Sequence, residues 1–120
     1  MAVCTNKPQK PARAILDKLG LAGHFKVLVG GDTIPIRKPN PGVIFHTMAV
    51  SGLEEGTDTA IMIGDGHNDV KVAKAAGIPV IALSYGYTRI PLHELHPDLI
   101  LGSFSGIPDA LVDLTDKSMC

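Results

Sequence analysis

The stretch Ala60–Asp69 reads AIMIGDGHND: an apolar run, a glycine, and then two carboxylates, Asp65 and Asp69, four positions apart. An apolar run of this length, rich in β-branched residues and bounded by glycine, is the pattern of a buried strand. Gly64 and Gly66 allow the chain to turn sharply where that strand ends, and His67–Gly77 then reads as a helix. Asp65 thus stands at the carboxyl tip of a strand, where open α/β sheets gather their ligands. Asp69 falls in the first turn of the helix. Two carboxylates held close at such a tip repel each other and favour a hard divalent cation, typically Mg²⁺, with phosphate oxygens completing its shell.

Outward from this stretch, strands and helices alternate. Ala2–Cys4 is a short strand, and Pro11–Leu19 is a helix with Ile15, Leu16 and Leu19 on one face, ending at Gly20. Phe25–Val29 is a second strand. The proline-rich segment Asp32–Pro41 is a loop, and a helix opens at Asn40 or Pro41 and runs to about Val50, with Val43, Ile44, Phe45 and Met48 turned inward. Gly52–Asp58 is an acidic surface turn. Beyond the central helix come a strand (Pro79–Leu83), a loop (Ser84–Arg89), a helical turn (Pro91–Leu95), a strand (Leu99–Leu101) and a last helix (Ile107–Leu114). The tail from Thr115 is expected to fray. This alternation predicts one α/β domain over residues 1–114, a parallel sheet with helices on both faces, followed by a tail at 115–120. Thr5, the Gly30–Lys38 loop, Asp65 and Ser84 each follow a strand and are expected along one carboxyl edge.

Composition narrows the function classes. A net charge of −1 gives no reason to expect a nucleic acid or an anionic membrane as partner. No apolar run is long enough to span a bilayer, and Lys7 and Lys10 follow the short apolar start instead of preceding it as in a signal peptide. Cys4 and Cys120 fit no metal or redox spacing and read as reduced thiols, so a cytoplasmic location is the expectation.

A phosphate ester with Mg²⁺ would give each candidate a task. The Thr5 hydroxyl and the N–H groups around it can hydrogen-bond phosphoryl oxygens, and Lys38 can neutralise charge that builds on them. Asp65 would ligate the metal, and Asp69 would ligate it or hold its water. Each residue alone has an ordinary alternative. Thr5 and Asp65 could be turn formers, Lys38 a solvated loop cation, and Asp69 a complement to the helix dipole. Their occurrence together and in this order favours the phosphate reading. His67 reads as a loop residue near the site, and the remaining histidines lack metal spacing.

Thr5-Asn6-Lys7-Pro8, then Gly30-Gly31-Asp32 leading into Arg37-Lys38-Pro39-Asn40-Pro41, then Gly64-Asp65-Gly66-His67-Asn68-Asp69, resemble the second, third and fourth motifs of haloacid dehalogenase-superfamily phosphatases. The similarity is closest to bacterial phosphoglycolate phosphatases, through Val3–Pro8, Val29–Asp32, Lys38–Gly42 and Ala76–Tyr87, and it spans about Ala2 to Leu111. The resemblance implies a Rossmann-like sheet and Mg²⁺-dependent hydrolysis of a small phosphorylated metabolite such as phosphoglycolate. It implies that Thr5, Asn6 and Lys38 bind the phosphoryl group, with Thr5 and Lys38 serving catalysis, and that Asp65 and Asp69 serve the metal.

One departure bears on mechanism. The family's reaction begins with an aspartate nucleophile in an Asp-x-Asp motif on its first strand, followed by a helical cap, and no Asp-x-Asp occurs in these 120 residues. Without a nucleophile the covalent half of the reaction has no agent. The expectation is a C-terminal portion of such a phosphatase, inactive or weakly active alone, whose sheet lacks its usual central first strand. Unpaired strand edges and an uncovered apolar face then favour a homo-oligomer, including one formed by strand or domain swapping. The alternative is a non-catalytic oligomeric module that binds phosphate, metal or a protein partner.

Overall fold

The computed structural model describes residues 1–54, 58–84 and 92–119. The expected loop at Ser84–Arg89 lies outside the described residues beyond Ser84, as does the middle of the acidic turn. Two units are distinguished, Met1–Thr59 and Ala60–Cys120.

In the first unit, β1 (Ala2–Cys4) and β2 (Val27–Val29) pair in parallel, Val3 opposite Leu28. They are joined by α1 (Gln9–Lys18) and a single 3-10 turn at Ala22–His24, which shortens the second strand from its expected start at Phe25. α2 (Gly42–Val50) packs on both strands. Parallel strands need such crossovers, since a tight hairpin cannot reverse the chain twice.

The buried stripes differ from the expected ones. On α1, Ala12 is buried and Leu16 half-buried, whereas Ile15 and Leu19 are exposed by 45% and 64%. A two-stranded sheet covers only a narrow stripe of a helix, and positions 12 and 16 occupy it. On α2, Val43 and Ile44 are buried as expected, but Phe45 is exposed and Thr47 takes the inner place. The Thr47 hydroxyl donates to the Val43 carbonyl at 2.7 Å, which satisfies it without water.

In the second unit, β3 (Met62–Gly64), β4 (Val80–Leu83) and β5 (Leu99–Leu101) form a parallel sheet in that order. Alternate residues of β4 face opposite ways. Val80 and Ala82 pack with Val70 and Ala73 of α3 (His67–Ala76), while Ile81 packs with Ala110 and Leu114 of α4 (Ile107–Met119). All of β4 is buried, so both sheet faces carry a helix there, as expected. β3 is an outer strand of this sheet, and Ile63 is correspondingly more exposed than a fully buried strand residue would be. Gly77 ends α3 at φ 75°, and Ile78 N–H closes back on the Ala73 carbonyl at 3.0 Å, the glycine stop expected there. α4 continues past Leu114 through Met119, since Thr115–Met119 contains neither glycine nor proline to break it. The described strands thus form two parallel ladders, one of two strands in the first unit and one of three in the second, with helices packed on them. No helix among the described residues is long and apolar enough to cross a membrane.

Candidate functional site

In the first unit the two strand ends are laced together. Thr5 N–H donates to the Val29 carbonyl at 2.9 Å, and Gly31 N–H to the Lys7 carbonyl at 2.8 Å. The Thr5 Oγ1 accepts from Lys7 N–H at 3.1 Å, forming a local turn. A hydroxyl that accepts in this way still has its proton to donate, and a phosphoryl oxygen is an acceptor.

The loop after β2 supplies further ties. Asp32 Oδ1 accepts from Gln9 N–H at 2.8 Å, so it caps α1, whose preceding Pro8 offers no side-chain cap. Thr33 Oγ1 accepts from Gly30 N–H at 2.8 Å. Arg37 Nε donates to the Gly31 carbonyl at 3.1 Å. A Cβ at Gly31 would overlap the Asn6 carbonyl, so only glycine allows this approach. Lys38 follows, half-buried, with its main chain bonded to the side chain of Asn6. Thr5, Asn6 and Lys38 are therefore brought together in this unit. An open depression of about 440 Å³ is lined by Gly31–Pro35 and Arg37 and includes neither Thr5 nor Lys38.

Sequence reasoning placed Asp32 and Arg37 only within a motif and gave them no role. The aspartate two residues after Gly30 was the available signal for the cap, but its helix lies 23 positions earlier in the chain.

In the second unit, Asp65 directly follows β3 and is exposed, while Asp69 at the third position of α3 is 8% exposed. The Asp69 carboxylate accepts from Gly66 N–H at 3.2 Å and lies against Gly64, where a Cβ would overlap it. A carboxylate in a helix's first turn is stabilised by the unpaired N–H groups there. Asp69 is thus held in place, and Asp65 reaches solvent from the strand tip. Among the described residues no three or more His, Cys, Asp or Glu side chains gather as a metal cluster. Two carboxylate oxygens with water and phosphate still suit Mg²⁺, which is commonly held by one or two carboxylates plus substrate oxygens.

Ser84, the remaining residue expected at a strand end, donates its N–H to the Leu101 carbonyl at 2.8 Å.

A model of haloacid dehalogenase-like hydrolases matches residues 1–83. The chain is 45% identical over 111 residues to a phosphoglycolate phosphatase of Rhodospirillum rubrum, covering 92% of this chain and 45% of that protein. It is 38% identical over 113 residues to a phosphoglycolate phosphatase of Agrobacterium fabrum, covering 94% and 48%. Among solved structures, a predicted phosphoglycolate phosphatase from Haemophilus somnus 129PT superposes with a TM-score of 0.84 at 34% identity, covering 92% of this chain and 48% of the other. The chain spans about half the length of these relatives. With residues 1–83 of 120 matched by the family model, the chain belongs to the haloacid dehalogenase-like hydrolases.

Proposed function

We propose that these 120 residues carry the phosphate- and Mg²⁺-handling part of a phosphomonoester hydrolase acting on a small phosphorylated acid, of phosphoglycolate phosphatase type. The reading is carried by the lacing of the first unit, in which Thr5, with a proton to donate, is followed by the residue that grips the Lys38 main chain. Thr5 would donate to a phosphoryl oxygen, and the Lys38 ammonium would offset charge that grows on the oxygens as the ester bond lengthens. Asp65 and Asp69 would hold Mg²⁺, which when bound supplies charge neutralisation for the phosphate. The names of the relatives support the substrate class. In the absence of an Asp-x-Asp motif among these residues, the chain by itself is expected to bind phosphate and to hydrolyse esters slowly at most.

Phosphate titration followed by ³¹P resonance, with and without Mg²⁺, tests this. Mg²⁺ is expected to tighten phosphate binding, and Asp65→Ala to remove that dependence along with any Mg²⁺-stimulated hydrolysis of p-nitrophenyl phosphate. Binding and hydrolysis indifferent to Asp65→Ala would overturn the reading.

The exposed face of α1 favours a second reading, a homo-oligomer. Ile15, Leu19 and the following Leu21 are exposed by 45%, 64% and 40%, and adjacent apolar side chains of this size commonly mark an interface. Light scattering is expected to give a mass above that of one chain, and Leu19→Glu to return it to the monomer. A monomeric parent chain would exclude this arrangement.

A further inference from the structure

We propose that Asn6 is a positioning residue for Lys38, acting through the Lys38 main chain and not by touching the phosphate with its side chain. This rests on the phosphate reading above. The Asn6 amide nitrogen donates to the Lys38 carbonyl at 3.2 Å, and its Oδ1 accepts from Lys38 N–H at 3.0 Å. Both ends of one side chain thus grip both polar groups of one peptide-chain residue, 32 positions away. The amide oxygen and one amide proton are occupied there, and the Asn6 carbonyl is seated on Gly31.

The grip closes a circuit. Lys7 receives Gly31 N–H, Gly31 receives Arg37 Nε–H, and Arg37 is followed by Lys38, which returns to Asn6. The segment from Gly31 to Lys38 is therefore fastened near both ends to the same turn that carries Thr5. Such fastening matters for a lysine in particular. Its ammonium rides on a flexible four-carbon stem and finds a target only as well as the main chain is placed. The segment contains no helix or strand, so side-chain ties must do what a regular ladder does elsewhere. Asparagine suits the task because it alone, with glutamine, offers a donor and an acceptor side by side, matching the N–H and C=O of one residue. Glutamine would carry that pair one carbon too far.

A double-mutant cycle on the 120-residue chain decides the point, with inorganic phosphate as the probe and ³¹P resonance as the readout. Lys38→Ala is expected to weaken phosphate binding roughly 10- to 100-fold, the loss of one charged contact. Asn6→Ala is expected to weaken it about 3- to 10-fold in the parent chain. In the Lys38→Ala background the same change is expected to shift affinity less than about twofold, because there is no ammonium left to misplace. An equal loss in both backgrounds would overturn the proposal in favour of direct contact by the Asn6 side chain. No loss on Asn6→Ala in the parent chain, with Lys38→Ala still weakening it, would overturn it as well. A parent chain that binds no phosphate would instead refute the phosphate reading, a distinct failure.

Hydrogen exchange supplies a readout independent of ligand, and Asn6→Asp a second variant should Asn6→Ala not fold. Asn6→Asp keeps the oxygen that receives Lys38 N–H, so this amide is expected to stay slow to exchange in Asn6→Asp and to become fast in Asn6→Ala. A Lys38 amide equally slow in the parent and Asn6→Ala, or equally fast in the parent and Asn6→Asp, would show that the grip does not place the loop.

Discussion

Ile81→Ala is expected to lower the free energy of unfolding of the second unit by about 3 kcal/mol, read as a fall of about 1.5 M in the urea midpoint at an unchanged slope. Ile81 is fully buried in the central strand of its sheet, opposite Ile63 on one side and Leu99 on the other. It packs on Ala110 and Leu114 of α4, with Ile61, Leu101 and Leu111 around it. Truncation removes most of an apolar side chain and leaves a space bounded by a sheet and a helix, which relax only partly. Ile100→Ala is the control. That residue is 42% exposed on β5, and its loss is expected to cost under about 1 kcal/mol. Equal effects at the two positions would mean that α4 does not cover the face assigned to it.

Gly64→Ala is expected to weaken Mg²⁺ binding about 10- to 100-fold, the loss typical when the support of a metal ligand is disturbed. The added methyl group would occupy the place of the Asp69 carboxylate, which must then swing away and give up its bond from Gly66 N–H. Calorimetric titration with Mg²⁺, or the resonance signal of Mn²⁺ as a stand-in, measures the change. Gly66→Ala separates this cause from a general dislike of alanine in the turn. Gly66 has φ −117°, which alanine adopts freely, and its Cβ would stand 3.7 Å from Asp69 Oδ2, an ordinary contact. Its expected effect is under about threefold, in keeping with a substitution that makes no clash. Comparable losses at both glycines would remove Asp69 from the proposed metal seat.

The local patterns carried much of the fold. Glycines at 20 and 77 mark helix ends because a left-handed residue closes the last turn, a short-range event. The apolar run at Val80–Leu83 marks a strand buried on both faces because nothing in it could tolerate water on either side. The alternation of such segments implies parallel pairing with little further input. Helix faces were less legible. Ile15 and Leu19 share the spacing of a buried stripe with Ala12 and Leu16, and only the width of the sheet beneath α1 decides which pair is covered. Thr47 lies one turn from Val43 and Ile44 on the covered face while Phe45 falls outside it, and the hydroxyl is tolerated there because it bonds within the helix.

For the candidate site, the sequence by itself determined the chemical kinds of residue and their order: Thr5, Asn6, Lys38 and Asp65 in segments that follow a strand, and Asp69 in the first turn of a helix. The family membership follows from the same strings. Tertiary structure alone decided how those residues are held. Asn6 grips Lys38 across 32 positions, Asp32 caps a helix 23 positions before it, and Asp69 rests against a glycine of the preceding strand. The physical reason is one of range. Backbone torsions and apolar periodicity act over a few residues and are written into neighbouring letters. A side-chain amide has the same donor and acceptor whether it meets a phosphate or a peptide, and only the folded chain brings one of them within hydrogen-bond reach.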